Sequence, residues 1–231
     1  MKRIVCIGGG EIKNRETIAI DEYIAAEAKK AAGERRACGL FLPTASHDCM
    51  PYYNTFHKVY TGLFDIKTDV ALSTRQDFDP EKMKAKFDRA DFLYVGGGDT
   101  VFMIDHWKKS GILSYIREAY ERGVLLAGLS AGAICWFEEM YSDSVIEGEY
   151  AMYPGLGWLK GKISPHYNER MLDFDEVVLY NRFRAWGVEN GAALEFVDGE
   201  PVRTIGHGKV WVLDGTNGVS VCKTEWKADQ A

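Results

Sequence analysis

The stretch Gly123-Val-Leu-Leu-Ala-Gly-Leu-Ser-Ala-Gly-Ala-Ile-Cys-Trp-Phe137 is an apolar run that leads into a serine between small residues. Gly128 and Gly132 stand two positions before and after Ser130. A serine on a sharp strand-to-helix turn has strained backbone geometry, and small neighbours let the two elements approach. The pattern is typical of a nucleophile elbow, although such a turn also occurs where only close packing is required. Ser130 is therefore the first candidate for a nucleophile.

Short apolar runs alternate with helical patterns along the chain before this stretch. The runs predict strands over 3–7, 37–42, 69–72 and 92–95, and the amphipathic patterns predict helices over 17–32, 52–64, 80–89, 101–109 and 113–122. Such alternation indicates a mostly parallel sheet with helices on both faces. We therefore predict a three-layer α/β fold of the flavodoxin-like type.

The composition changes after the elbow. The stretch 140–159 is rich in Ser, Asp, Glu, Gly and Tyr and predicts loops and short strands, followed by a helix over 174–186. Further strands are expected over 191–197, 201–205 and 209–213. Because the sequence has no linker, internal repeat or low-complexity segment, residues 1–231 are predicted to form one domain.

The composition of the 231 residues excludes several functional classes. A hydrophobic fraction of 46% and a charged fraction of 27% are typical of a globular protein. The formal net charge of −6 argues against a nucleic-acid partner, since phosphate binding needs concentrated Lys and Arg. No apolar segment is long enough for a signal peptide or a membrane span, so we expect a cytoplasmic protein without a membrane partner.

Metal ions and cofactors are not indicated by the sequence. The five cysteines are scattered without a C-x-x-C pair, which fits reduced thiols, and no His, Asp and Glu spacing predicts a metal site. The glycines Gly8-Gly9-Gly10 follow the first strand but lack the G-x-G-x-x-G spacing of dinucleotide-binding turns. We therefore predict neither a metal nor a cofactor.

A second glycine turn, Gly96-Gly-Gly-Asp-Thr100, follows the strand predicted over 92–95. Asp99 is expected to cap the helix after it. Because the carboxyl ends of parallel strands lie at one edge of a sheet, this turn and the elbow should be neighbours.

A serine hydroxyl needs a base to accept its proton, and His166 is the best candidate. It follows a short run that ends in Ser164-Pro165, and proline restricts the backbone before it. The alternative is a loop histidine that bonds to the backbone. The other four histidines lie in polar, helical or hairpin contexts.

The ordered set Gly96-Gly-Gly-Asp-Thr100, Gly128-Leu-Ser-Ala-Gly-Ala133 and Ser164-Pro-His166-Tyr resembles the dipeptidase E and cyanophycinase family of serine peptidases. That family is similar in fold to the class I glutamine amidotransferases. The resemblance implies that Ser130 attacks a peptide carbonyl and that His166 is its base. It also implies an oxyanion hole formed by the amide of Ala131 and that of Gly97 or Gly98.

Four residues compete for the role of third catalytic residue. Asp143 lies in the region that the resemblance implies and is the first choice, and Glu138, Glu139 and Glu147 compete with it.

The family also favours an N-terminal aspartate that a cationic group binds. Arg170 is the candidate for that group, with Arg182 and Arg184 as alternatives and a surface role open for all three.

These residues and the resemblance to the family predict a serine peptidase that hydrolyses small peptides, and the resemblance alone extends this to dipeptides with an N-terminal aspartate. Two other functions remain open. One is an esterase on an α/β-hydrolase fold, which shares the G-x-S-x-G pattern, and the other is a non-catalytic protein that binds an anion at its glycine turns. A homodimer through an apolar helix face is compatible with the sequence, although no stretch marks such a face.

Overall fold

The computed structural model describes residues 1–74, 79–146 and 148–228. The helices are α1 (Ile18–Ala32), α2 (Met50–Phe64), α3 (Pro80–Arg89), α4 (Thr100–Ser110), α5 (Ile112–Glu121), α6 (Ala131–Ile134) and α7 (Tyr167–Tyr180). The strands are β1 (Arg3–Ile7), β2 (Cys38–Leu42), β3 (Lys67–Val70), β4 (Phe92–Val95), β5 (Leu125–Leu129), β6 (Phe137–Ile146), β7 (Glu149–Pro154), β8 (Leu159–Ser164), β9 (Arg184–Val188), β10 (Ala192–Val197), β11 (Glu200–Gly206), β12 (Val210–Asp214) and β13 (Cys222–Glu225).

The first sheet has seven strands in the order β11-β10-β1-β5-β4-β2-β3. The five strands from β1 to β3 in this order are parallel, and β10 and β11 extend the sheet antiparallel to β1. Strands β2, β4 and β5 are buried along their whole length, which explains why they read as continuous apolar runs.

Helices cover both faces of this sheet. One face packs against α1 and α2, and the other packs against α3, α4 and α5. Alternate residues of each strand serve the two faces: Val5 and Ile7 lie on the α1 side, and Ile4 and Cys6 lie on the opposite side. The prediction of an α/β fold with helices on both faces is confirmed.

A second sheet of six strands, in the order β13-β12-β9-β8-β6-β7, was not predicted. The ten-residue strand β6 begins at Phe137 and runs into the stretch expected to form loops and short strands. The helix expected over 174–186 was wrong at both ends, because α7 runs from Tyr167 to Tyr180 and Arg184–Val188 forms β9. Pairing of β9 with β8 and β12 overrides the local helical pattern.

The helix that follows the elbow is shorter than the apolar sequence indicated. Helix α6 has four residues, and β6 begins at Phe137. Trp136 and Phe137 are fully buried and pack in the same apolar cluster as Ile4 and Cys6 of β1. The chain therefore passes directly from the elbow into the second sheet.

In the described ranges 1–74, 79–146 and 148–228, no helix has both the length and the apolar character that a membrane crossing requires.

Candidate active site

Ser130 lies on the tight turn between β5 and α6. Its backbone has φ 52° and ψ −108°, a region that residues with a Cβ rarely adopt and that marks stored strain. A Cβ at Gly128 would lie 2.1 Å from the carbonyl oxygen of Gly132, so the turn closes only with glycine at position 128. The Ser130 amide donates to the carbonyl of Ile7 at 2.9 Å, which ties the elbow to the end of β1.

His166 follows the end of β8 and begins α7. Its backbone is left-handed, with φ 49°, and its amide donates to the carbonyl of Gly8 at 2.8 Å. The imidazole Nε2 lies 2.9 Å from Ser130 Oγ. The structure therefore brings the predicted base into hydrogen-bond contact with the predicted nucleophile.

Asn190 holds the other nitrogen of the His166 ring, with Oδ1 2.6 Å from Nδ1. It lies in the loop after β9. Strand β9 is parallel to β8, and its Gly187 lies beside Ser164 of β8. The carboxyl ends of these two strands therefore bring His166 and Asn190 together. The Asn190 amide nitrogen donates to Glu169 Oε1, and its backbone amide donates to Asn168 Oδ1 at 2.8 Å.

These contacts fix the protonation of the ring. Because the Asn190 side-chain nitrogen donates to Glu169, its oxygen faces the ring and accepts a hydrogen bond from His166 Nδ1–H. Nε2 of the neutral ring then carries the lone pair and accepts from the Ser130 hydroxyl. The arrangement is that of a nucleophile, a base and a group that orients the base.

The glycine turn after β1, residues 8–10, lies directly against His166 and Asn190. A Cβ at Gly9 would lie 2.0 Å from Asn190 Oδ1 and 2.3 Å from His166 Nδ1. The Gly9 carbonyl also accepts from the Gly191 amide at 3.0 Å, which anchors the loop that carries Asn190. The glycines that lack nucleotide-binding spacing therefore make room for the His166–Asn190 hydrogen bond.

The surroundings of His166 favour its neutral form. Burial lowers the pKa of the ring below its usual value of 6.5, and the nearby Arg170 guanidinium lowers the pKa further. The hydrogen bond with Asn190 and the charges of Glu169 and Asp143 oppose this shift. The net direction is downward, so the ring can accept a proton at neutral pH.

The structure does not place Asp143 against the His166 ring, which corrects that expectation. Asp143 belongs to β6, and Asn190 is the residue that contacts His166 Nδ1. Glu138 accepts from the Gly161 amide at 2.7 Å, and Glu139 pairs with Lys162. Glu147, the remaining competitor, lies outside the described residues.

The predicted oxyanion-hole residues lie beside Ser130. The turn after β4 adjoins the elbow because Val95 and Gly128 are paired, and a Cβ at Gly97 would lie 3.5 Å from Ser130 Cβ. Within the part of the chain that the structure describes, the amides of Ala131 and Gly98 have no hydrogen-bond acceptor, whereas the Gly97 amide donates to Tyr52 Oη at 3.2 Å. Asp99 caps α4 by accepting from the Phe102 amide at 2.9 Å, as predicted.

A cleft of about 740 Å³ opens over Ser130 and His166. Its lining includes Tyr52 and the turn Gly10–Lys13, with acidic side chains of Glu11, Glu16 and Glu169. Lys13 is the basic residue among the described residues that line it.

Arg170 does not line this cleft. Its guanidinium lies 4.4 Å from the centre of the Tyr150 ring. Arg184 pairs with Asp214 at 2.6 Å, and Arg182 lines a separate cleft beside α7. None of the three arginines considered for an aspartyl carboxylate is therefore placed at Ser130.

Three residues of the site were not predicted from the sequence: Asn190, Glu169 and Tyr52. Asn190 and Glu169 had no motif of their own, and the signal for Asn190 was its place at the end of a strand beside the one that carries His166. In the residues that the structure covers, no group of three or more His, Cys, Asp or Glu side chains could hold a metal ion.

Comparison with known proteins connects this geometry to one family. The model of peptidase family S51 matches residues 4–205. The chain is 34% identical to the uncharacterised peptidase YgaJ of Bacillus subtilis, over 89% of this chain and 87% of that protein. It is 26% identical to peptidase E of Shewanella denitrificans, over 76% of this chain and 77% of that protein.

The same fold occurs in a solved structure of a peptidase from an acI-B1 Actinobacterium. The two structures superpose with a TM-score of 0.75 at 18% identity, over 100% of this chain and 96% of the other. The match to the family model, the relatives and the resemblance of the sequence motifs agree. The chain therefore belongs to peptidase family S51 and is a serine-type peptidase.

Proposed function

We propose that Ser130, His166 and Asn190 form a catalytic unit that hydrolyses small peptides. The observation that carries the proposal is the continuous hydrogen-bond chain from Ser130 Oγ through both nitrogens of His166 to Asn190 Oδ1. An amide in place of a carboxylate still orients the imidazole, as it does in Cys-His-Asn peptidases.

The proposed reaction proceeds in two steps. Ser130 Oγ attacks the scissile carbonyl carbon while His166 Nε2 accepts the hydroxyl proton, and this proton then passes to the leaving amine as the C–N bond breaks. Water attacks the resulting ester, gives a proton to His166, and releases the acid product as Ser130 recovers its proton. Asn190 keeps the ring oriented throughout both steps.

The tetrahedral intermediate carries a negative charge on the former carbonyl oxygen. We infer that the Ala131 amide, next to the nucleophile and without an acceptor in the described ranges, is one donor to this oxygen. The turn at Gly97 and Gly98 supplies the opposite wall of the same cleft.

The cleft favours a small substrate. Its volume of about 740 Å³ lies within the range of sites for small ligands. Three acidic residues, Glu11, Glu16 and Glu169, line it against one lysine, Lys13, and Arg170 packs on Tyr150, so the balance of charge does not favour an aspartyl substrate. We propose small peptides with a neutral or basic first residue as the substrate class.

We expect the protein to remain active on peptides below pH 6.5. His166 must be neutral to act as a base, and its pKa is lowered from 6.5 by burial and by Arg170. The acid limb of the kcat/KM profile should therefore have its midpoint below pH 6.5. Replacing Arg170 by Gln removes a positive charge that repels the protonated ring, so the midpoint should move upward.

A matched control for this profile is Arg184→Gln, since Arg184 pairs with Asp214 away from the cleft. The control should leave the midpoint unchanged. A wild-type midpoint above pH 6.5, or a downward shift in Arg170→Gln, would contradict the proposed environment of His166.

The function itself is tested with a panel of dipeptides, tripeptides and acyl esters, together with a fluorophosphonate probe. We expect peptide turnover, loss of turnover after probe treatment, and a probe adduct on Ser130 in the mass spectrum. Turnover of esters alone would favour an esterase. Absence of both turnover and adduct would favour a protein that only binds ligands.

A further inference from the structure

Tyr52 is a cleft residue that the proposed mechanism has not used. It lies in the first turn of α2, directly after Pro51, and lines the same cleft as Ser130 and Gly97. Its ring packs edge-on against Phe41, with the ring centres 5.0 Å apart. A Cβ at Gly96 would lie 2.9 Å from Tyr52 Cε1, so the glycine turn gives the ring its place. The ring position is therefore fixed by packing on two sides.

The Tyr52 hydroxyl accepts the hydrogen bond of an amide that was predicted to donate to the oxyanion. Its oxygen accepts the Gly97 amide proton at 3.2 Å. That amide was a candidate donor to the oxyanion, yet in this structure it is already paired. The Gly97 amide therefore acts on the cleft through the phenol, whereas the Gly98 amide has no acceptor in the described residues.

The proton of this hydroxyl is available. Among residues 1–74, 79–146 and 148–228, no acceptor for the Tyr52 O–H is present. Burial raises the pKa of Tyr52 to about 12, so the phenol stays protonated and neutral across the pH range in which His166 can act as a base. The result is a donor without an acceptor in a cleft where a negative charge is expected to form.

We propose that the Tyr52 hydroxyl donates a hydrogen bond to the oxyanion formed during attack by Ser130. This inference rests on the proposed peptidase function. The Tyr52 O–H then joins the amides of Ala131 and Gly98, unpaired within the described ranges, as a donor, with the Gly97 amide polarising the phenol from behind. Chains of hydrogen bonds of this kind strengthen one another in a water-poor site. No covalent bond to Tyr52 forms, and its proton stays on the phenol.

The test is Tyr52→Phe, which keeps the packed ring and removes only the hydroxyl. We expect kcat for the best peptide of the panel to fall by about 10²- to 10³-fold, the usual effect of losing one oxyanion donor, with little change in KM. Affinity for a peptide aldehyde, which forms a tetrahedral adduct with Ser130, should fall by a comparable factor. Loss of a purely structural contact would not weaken the adduct selectively.

The matched control is Tyr53→Phe. Tyr53 is the next residue of α2, its hydroxyl lies 3.5 Å from Thr68, and it does not line the cleft. This variant should keep wild-type kcat and aldehyde affinity. Thermal unfolding of both variants shows whether each has folded.

Two results would overturn the assignment of Tyr52. An unchanged or higher kcat in Tyr52→Phe would mean that the Gly97 amide, freed from the phenol, is the donor. A change confined to KM would mean that Tyr52 only contacts bound peptide. Failure of the peptidase function is distinguished from both, because the wild-type protein would then show no turnover and no probe adduct before any variant is compared.

Discussion

Replacing Ser130 by Ala is expected to lower kcat for peptide hydrolysis by about 10⁶-fold, and replacing His166 by Ala is expected to cost a comparable factor. The reason is that neither group works without the other. The hydroxyl of Ser130 is a weak nucleophile until Nε2, at 2.9 Å, accepts its proton. The double variant should therefore be no slower than either single variant.

The measurement is kcat for the three variants with the best peptide of the panel, beside two controls. Ser114→Ala and His57→Ala change exposed residues whose polar contacts lie at the end of a helix and on Thr68. Both should keep wild-type rates. Losses that multiply in the double variant would show that Ser130 and His166 act independently, which the geometry does not allow.

Replacing Asn190 by Ala is expected to lower kcat by up to about 10⁴-fold, the loss seen when the third member of a triad is removed. Without the amide, the ring loses the acceptor that holds the proton on Nδ1 and keeps Nε2 toward Ser130. The same hydrogen bond raises the pKa of His166, so its removal should also lower the midpoint of the acid limb.

Asp143→Asn separates this assignment from the one that the sequence favoured. Asp143 contributes only its charge to His166, so its neutral variant should stay close to wild type in kcat. Glu169→Gln is informative as well, because a Gln side chain can still accept from Asn190 but carries no charge. If Asp143→Asn were the more damaging change, Asp143 rather than Asn190 would be the residue that orients the base.

The first half of the fold was readable from the sequence because β2, β4 and β5 are buried on both faces. Strands β2 and β4 appear as unbroken apolar runs between amphipathic helices, and the Gly96 turn marks the end of β4. The elbow at Ser130 was readable for a different reason. Its glycines are required sterically and therefore leave a pattern in the sequence.

The second sheet was not readable, because its strands are only partly buried. β6 and β7 carry many half-exposed residues, so their patterns resemble loops. Asn190 was hidden for a related reason. It stands 60 residues after Ser130, and only the parallel pairing of β8 with β9 places it beside His166.

The candidate site is divided between the two sheets. The first sheet and its helices carry Ser130, Gly97 and Tyr52, the residues proposed to contact the scissile carbonyl, while the loops after β8 and β9 carry His166, the proposed base, and Asn190, which orients it. The hydroxyl and the imidazole thus come from separate sheets, which meet at the Oγ–Nε2 contact and at the glycine turn after β1. Substitutions in the second sheet would therefore change the pKa of His166 and the shape of the cleft, while the strained turn that carries Ser130 stays the same.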